Sequence, residues 1–341
     1  MLAACLLGQG ACAQSGKLLL TGGVSSIDGA AGGGLTPWAV TGSYATEGQV
    51  GGTAFATRVK TGDYGLWTYG AALSLHDRFE LSLAKQDFDT GSNLAPLGLA
   101  GLHLKQDIVG AKLRVAGEAI LDSDRWMPQI AIGLEHKTTH AGALGPTLFG
   151  PLGAKSSGTD LYVSATKLFL APGVLVNLTL RATRANQNGL LGFGGTQGSS
   201  TQVQPEFSLA KLLRKDLAIG IEFRAKPDNL DNSVLGAGAL KEDDWKDAFV
   251  AWTPSKHLSL VPWTTAGGRK AVGIRGRVRQ GGVSLVETVY APARGAPLPF
   301  YERAVVTGKP GTSVAQMSRW NQPVHVTAPA HAVPIATVLA R

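Results

Sequence analysis

No stretch of the 341-residue chain reaches the roughly 18 uninterrupted apolar residues that a membrane-spanning helix requires. A chain of this composition enters a membrane as strands or not at all. Cysteine is nearly missing: Cys5 and Cys12 are the only two, both in the first dozen residues. If that segment is removed on export, disulfide and thiol chemistry are excluded. Acidic residues are scarce at one end. Residues 261–341 hold 10 Lys plus Arg against 2 Glu and no Asp, whereas residues 1–260 hold 22 of each sign. The net charge of +8 therefore belongs wholly to the tail and is no electrostatic footprint for nucleic acid.

What is abundant is glycine, 45 of 341 residues or about 13 %, against a usual ~7 %. Without a Gly-X-Y period or a cysteine framework, such a chain favours strands and turns. The opening MLAACLLGQGACA has an apolar run and small residues at Ala11 and Ala13, so residues 1–13 are expected to be a signal peptide. It lacks a basic n-region, which points to a start upstream of Met1. The stretch from Leu2 to Cys5 also has the look of a lipoprotein box, though no apolar region precedes it. Residues 14–34 form a Gly-rich N-terminal segment.

From Leu35 to Leu260 the chain breaks into segments of about ten residues with period-two alternation, the mark of strands with one apolar and one polar face. Phe79, Leu81 and Leu83 alternate with Glu80, Ser82 and Ala84. Val109 to Val115, Ile130 to Leu134, Val174 to Ala182 and Leu217 to Phe223 repeat the pattern. Short turns are expected at 76–78, 122–125, 171–173, 214–216 and 254–256, alternating with long connections over 87–100, 138–157, 187–201 and 226–244. Up-and-down membrane barrels show this asymmetry, with tight turns inside and long loops outside. The link near Lys60 to Asp63 is short where a long one is due. The expected fold is all-β, an antiparallel up-and-down transmembrane barrel of roughly 12–14 strands over residues 35–260. Trp38, Trp126 and Trp245 stand at predicted strand starts, as an interfacial girdle would place them.

With apolar faces toward lipid, the other face lines the lumen. The candidate lumen residues are Arg58, Glu80, Lys112, Arg114, Glu118, Glu135, Arg181, Glu222 and Arg224. Charges of both signs can pair across the interior, which argues for a narrow or partly filled lumen.

The run from Ser15 to Ala39, SGKLLLTGGVSSIDGAAGGGLTPWA, is distinctive. So are DRFELS at 77–82, FDT at 88–90, FRAKPDNL at 223–230 and DWKDAFVAWTPSKHLSL at 244–260. Over about residues 15–260 the chain resembles a proteobacterial family of uncharacterised outer-membrane proteins. The resemblance implies a barrel in the outer membrane, with lipid and the barrel-assembly machinery as partners; it implies no activity. It also implies a terminal aromatic strand, which this chain lacks. Residues 261–341 hold 8 of the 17 prolines and 8 Arg against 2 Lys, ending on Arg341. That density of proline does not suit central strands. The tail reads as a frame-shifted translation or a disordered basic extension, and the closing strand as missing.

The remaining constellations are weak. His257 and Ser259 share a strand face, as in outer-membrane deacylases, but no acid accompanies them. The pair Glu135-His136 with His140 has helical metal spacing on what reads as a strand end running into a loop. Asp228, Asp231, Glu242, Asp243 and Asp244 lack the Gly-centred calcium pattern. Gly189 to Gly195 reads as a flexible surface loop, with no Lys-Ser/Thr to hold phosphate. No cofactor, metal or nucleic-acid partner is expected. The expected function is a narrow channel for a small solute or a structural barrel rather than an enzyme. The alternatives are an outer-membrane lipid-modifying enzyme of deacylase or phospholipase type, and a secreted soluble β-protein.

Overall fold

A computed structural model of the chain describes residues 17–61, 64–92, 99–120, 126–196, 198–233, 236–237, 240–255, 257–261, 263–265, 273–280, 283–290, 303–308 and 311–316. The expected signal peptide and the turn at 122–125 lie outside the described residues. The chain divides into two units. The smaller, Arg275–Pro292 with Ala296–Arg341, accounts for most of a separate four-stranded sheet of Gly273–Gln280, Val283–Tyr290, Arg303–Gly308 and Gly311–Gln316.

The larger unit is one antiparallel sheet whose neighbours in sequence are neighbours in space. Its long strands are β1 (Val50–Thr61), β2 (Tyr64–Leu75), β3 (Phe79–Asp89), β4 (His103–Ala116), β5 (Gln129–His140), β6 (Ser157–Phe169), β7 (Val174–Thr183), β8 (Gln202–Arg214), β9 (Leu217–Arg224) and β10 (Trp245–Ser255). Two short pieces, β11 (Leu258–Leu260) and β12 (Trp263–Thr265), both pair with β10. The sheet curls into a half-barrel, and among the described residues the second edge of β1 has no strand partner. The expected all-β up-and-down architecture is what the chain adopts, with no closing strand among the described residues.

Local sequence explains the connections. His76 and Asp77 take consecutive left-handed conformations, φ 54° and 49°, and so close the two strands they join in a tight hairpin. Long connections join β3 to β4, β5 to β6, β7 to β8 and β9 to β10, all at the same end of the sheet. The link from β4 to β5 covers residues 117–128, longer than the four-residue turn expected there.

The two faces are inverted relative to a soluble sheet. Leu83, Val109, Leu161, Leu178, Val203 and Ile221 are each about half exposed or more on the convex side. Glu80, Lys112, Glu135, Lys137, Arg181 and Arg224 are at most 3 % exposed on the concave side. Buried polar groups must find partners, and the first long strand does not begin until Val50. Residues 35–49, expected within the barrel wall, instead continue the Gly-rich segment, which lies against the concave face.

Candidate functional site

Between Leu20 and Ala45 most residues are buried and none is exposed, although regular pairing within the segment is limited to the two-residue ladder Val24–Ser25 with Ala31–Gly32 and a bridge between Gly32 and Pro37. A backbone buried without regular structure needs side-chain partners for its amides and carbonyls. The wall strands supply them. Glu80 accepts from the amides of Ala31 at 3.0 Å and Gly42 at 2.6 Å, and Glu222 from those of Leu35 at 2.7 Å and Thr36 at 3.2 Å. Lys112 donates to the carbonyls of Ala31 and Val40, Gln129 to that of Ala39, and Arg224 to that of Leu35. Ser164, Asn177 and Thr179 converge on the Pro37 carbonyl. Glu80, Glu222, Lys112 and Arg224 make most of these bonds, and hydrogen bonds to charged groups are worth roughly 1.5–3 kcal/mol each.

The glycines make that approach possible. A Cβ on Gly33 would lie 2.3 Å from Glu222 Oε1 and 2.9 Å from the Trp38 ring, and one on Gly32 would fall 1.9 Å from the Thr36 carbonyl. Gly29 needs φ +99°, a region closed to most side chains.

The interior has three layers. At the short-turn end Trp38 and Val40 pack with Leu168, Leu175, Ala210 and Phe249. At the long-connection end Leu104, Leu148, Leu152, Leu190 and Leu230 form a second apolar cluster. Between them lies an ion network. Asp28 pairs with Arg224 at 2.7 Å and Lys137 at 3.5 Å; Lys137 pairs with Asp160 at 3.1 Å and Glu135 at 3.3 Å; Arg181 reaches Glu135 at 2.6 Å and Glu206 at 2.5 Å. The connection from β7 to β8 enters this network. Asn188, at φ 60°, accepts from Lys137 and Arg224 and donates to Asp28. The wall, the N-terminal segment and a long connection therefore meet at one buried point.

Of the nine expected lumen residues, Glu80, Lys112, Glu135, Arg181, Glu222 and Arg224 are buried on the concave face. Arg114 and Glu118 pair with one another at the short-turn end, half-buried, where Arg114 also holds Asp77. Arg58 is a correction: it is exposed on the convex face, over the Trp67 ring at 5.4 Å. The inward positions around it are Thr57 and the apolar Val59, which packs with Leu66 and Phe88. Trp38 is likewise no girdle residue, being 4 % exposed in the interior, whereas Trp126 is 86 % exposed at the short-turn end. Gly189 to Gly195 is no flexible surface loop either. Phe193, 1 % exposed, bridges to Lys155 and Ala185 and packs the turn down. Sequence reasoning missed Asp28, Lys137, Asp160 and Glu206. The last three continue period-two positions of their strands and were legible; Asp28 stands in an irregular segment with no period to place it.

The other constellations come apart. His136 and His140 lie within β5 rather than in a loop, on the convex face with Thr159 and Asp107, while Glu135 points the other way. Asp228 and Asp244 accept backbone amides, and Glu242 pairs with Lys226 at 3.6 Å and accepts the Gln187 amide. Ser259 is hydrogen-bonded by Thr253. Among the described residues no group of three or more His, Cys, Asp or Glu could hold a metal ion.

The curled antiparallel sheet with a polar, occupied concave face defines a β-barrel-like protein. A family model described as "Protein of unknown function (DUF3034)" matches residues 21–274, and the chain belongs to that family. The match takes in the inserted segment from Thr21 together with the whole wall. No curated protein matches the chain.

Proposed function

We propose that the protein is an outer-membrane barrel whose passage is filled by its own N-terminal segment, a closed structural barrel or a narrow channel that conducts only when that segment is displaced. The observation carrying this reading is the inversion of the sheet: apolar side chains outside, a buried polar and ionic interior inside, bonded in part to the N-terminal segment. A convex surface so rich in exposed Leu, Ile and Val is costly in water, where each such side chain forgoes roughly 1.5–3 kcal/mol of burial. Facing acyl chains removes that cost. The four long connections from β3 to β4, β5 to β6, β7 to β8 and β9 to β10, all at one end, support the same orientation, with that end outside the cell. Refolding into phospholipid vesicles tests the reading. The chain is expected to resist alkaline extraction and to leave the vesicles tight to small ions. Release into the soluble fraction, or conductance like that of a wide porin, overturns it.

A further inference from the structure

The convex face is not apolar to the same height all round. On β8 apolar side chains face outward from Val203 through Phe207 and Leu209 to Leu213, interrupted by Lys211, about 33 Å of strand at 3.3 Å per residue. On β3 the run is Phe79, Leu81 and Leu83, roughly 13 Å, and Lys85 and Asp87 follow on the same face. The neighbouring strands stop within one outward position of that level. Val109 on β4 gives way to Asp107, Lys105 and His103 toward the long connection, Leu134 on β5 to His136 and His140, and Leu161 on β6 to Thr159. An apolar band about 25 Å tall is the usual requirement, so this sector presents charge where the outer leaflet's headgroups begin.

The charges form a pattern. Lys85 pairs with Asp107 at 2.9 Å and Lys105 more loosely with Asp87 at 3.8 Å; both lysines remain about 60 % exposed. An ammonium group has three donors, and one carboxylate does not exhaust them. His103 and His140 bind the same two aspartates. Beside them Arg58 lies over Trp67, and Tyr69 is in register with Lys85. Immediately below is an apolar groove of about 550 Å³ lined by Leu113, Ile132, Leu134, Leu161, Val163 and Leu180. His136 and Thr159, hydrogen-bonded at 2.9 Å, form its upper lip, one outward position beyond the Leu134–Leu161 pair.

We propose that this sector is a docking site for a phosphate-bearing lipid of the outer leaflet, its acyl chain in the groove and its phosphate held by Lys85, Lys105 and Arg58. The inference rests on the membrane reading above. An apolar groove whose β4 margin leads up to Lys105, with Lys85 on the next strand, is complementary to an amphiphile with an anionic head, whereas a polar protein partner would leave the groove uncovered.

The test uses the full chain in phosphatidylcholine vesicles, with tryptophan quenching by brominated phosphatidic acid compared with brominated phosphatidylcholine. A three- to tenfold preference for phosphatidic acid is expected, on the order of two exposed ion pairs. The paired Lys85→Ala/Lys105→Ala variant should lose it, Ala182→Trp, which fills the groove, should weaken it, and Lys211→Ala should keep it. Equal quenching by both lipids in the inserted protein, or a preference that survives the paired variant, overturns the site and leaves the barrel reading intact. Failure of the unaltered chain to enter the vesicles overturns both.

Discussion

Gly33 carries the attachment of the N-terminal segment in the most literal sense, since the Glu222 carboxylate occupies the space a side chain would need. Gly33→Ala is expected to destabilise the folded chain by about 1–3 kcal/mol, the usual range for overpacking. Gly52→Ala, where the nearest atom is 3.8 Å away on the exposed face of β1, should change little. Urea midpoints of the two variants in detergent micelles compare them directly. Asp28 is the residue through which the segment, the wall and the β7–β8 connection are joined, and Asp28→Ala leaves the Asn188 amide without its acceptor and takes one ion-pair partner from each of Arg224 and Lys137. A loss of about 3–5 kcal/mol is expected, as for other buried ion pairs broken on one side, read as a fall in the same midpoint. Period-two alternation told Glu80, Lys112, Glu222 and Arg224 from the apolar residues beside them, so their side of the sheet was legible. Their partners were not. They bind backbone amides and carbonyls of a Gly-rich segment, and a backbone atom leaves no mark in a sequence. Arg58 misled because the inward face beside it carries the apolar Val59 as well as Thr57, so polarity no longer reports direction.

At the scale of elements, strands, turns and the places of the long connections followed from local pattern, while the packing of those connections did not. Their packing depends on Leu148, Leu152, Leu190 and Leu230, drawn from three connections, meeting over the end of the sheet, a non-local event that no period announces. The connection from β9 to β10 carries a titratable latch. Burial pushes the Glu242 carboxyl up to about 7, against the pull of Lys226 and the Gln187 amide, and burial likewise lowers the Lys226 ammonium. Because the folded carboxyl binds its proton more tightly than the unfolded one, with its ordinary value of 4.5, the stabilisation is complete below pH 4.5 and is lost as pH rises through about 7. Proteolysis of this connection is therefore expected to accelerate between those limits in the unaltered chain. Glu242→Gln should flatten the profile; an unchanged profile would show that another group controls the connection.

For the whole molecule, the inserted segment touches strands from β1, where Thr53 donates to the Gly42 carbonyl, to β9, where Glu222 binds Leu35 and Thr36. It therefore links distant parts of a curled sheet that strand pairing alone leaves open. This is how a half-barrel can keep its curvature, and it gives the conspicuous Gly-rich opening of the chain a structural task. Amide hydrogen exchange of residues 17–46 in the bilayer-reconstituted chain tests that task most directly. The amides of Ala31, Leu35, Thr36, Ala39 and Gly42, all bonded to wall side chains, are predicted to be protected as strongly as those of the central strands. Exchange at the rate of an unstructured glycine-rich peptide, with the strands still protected, would contradict it.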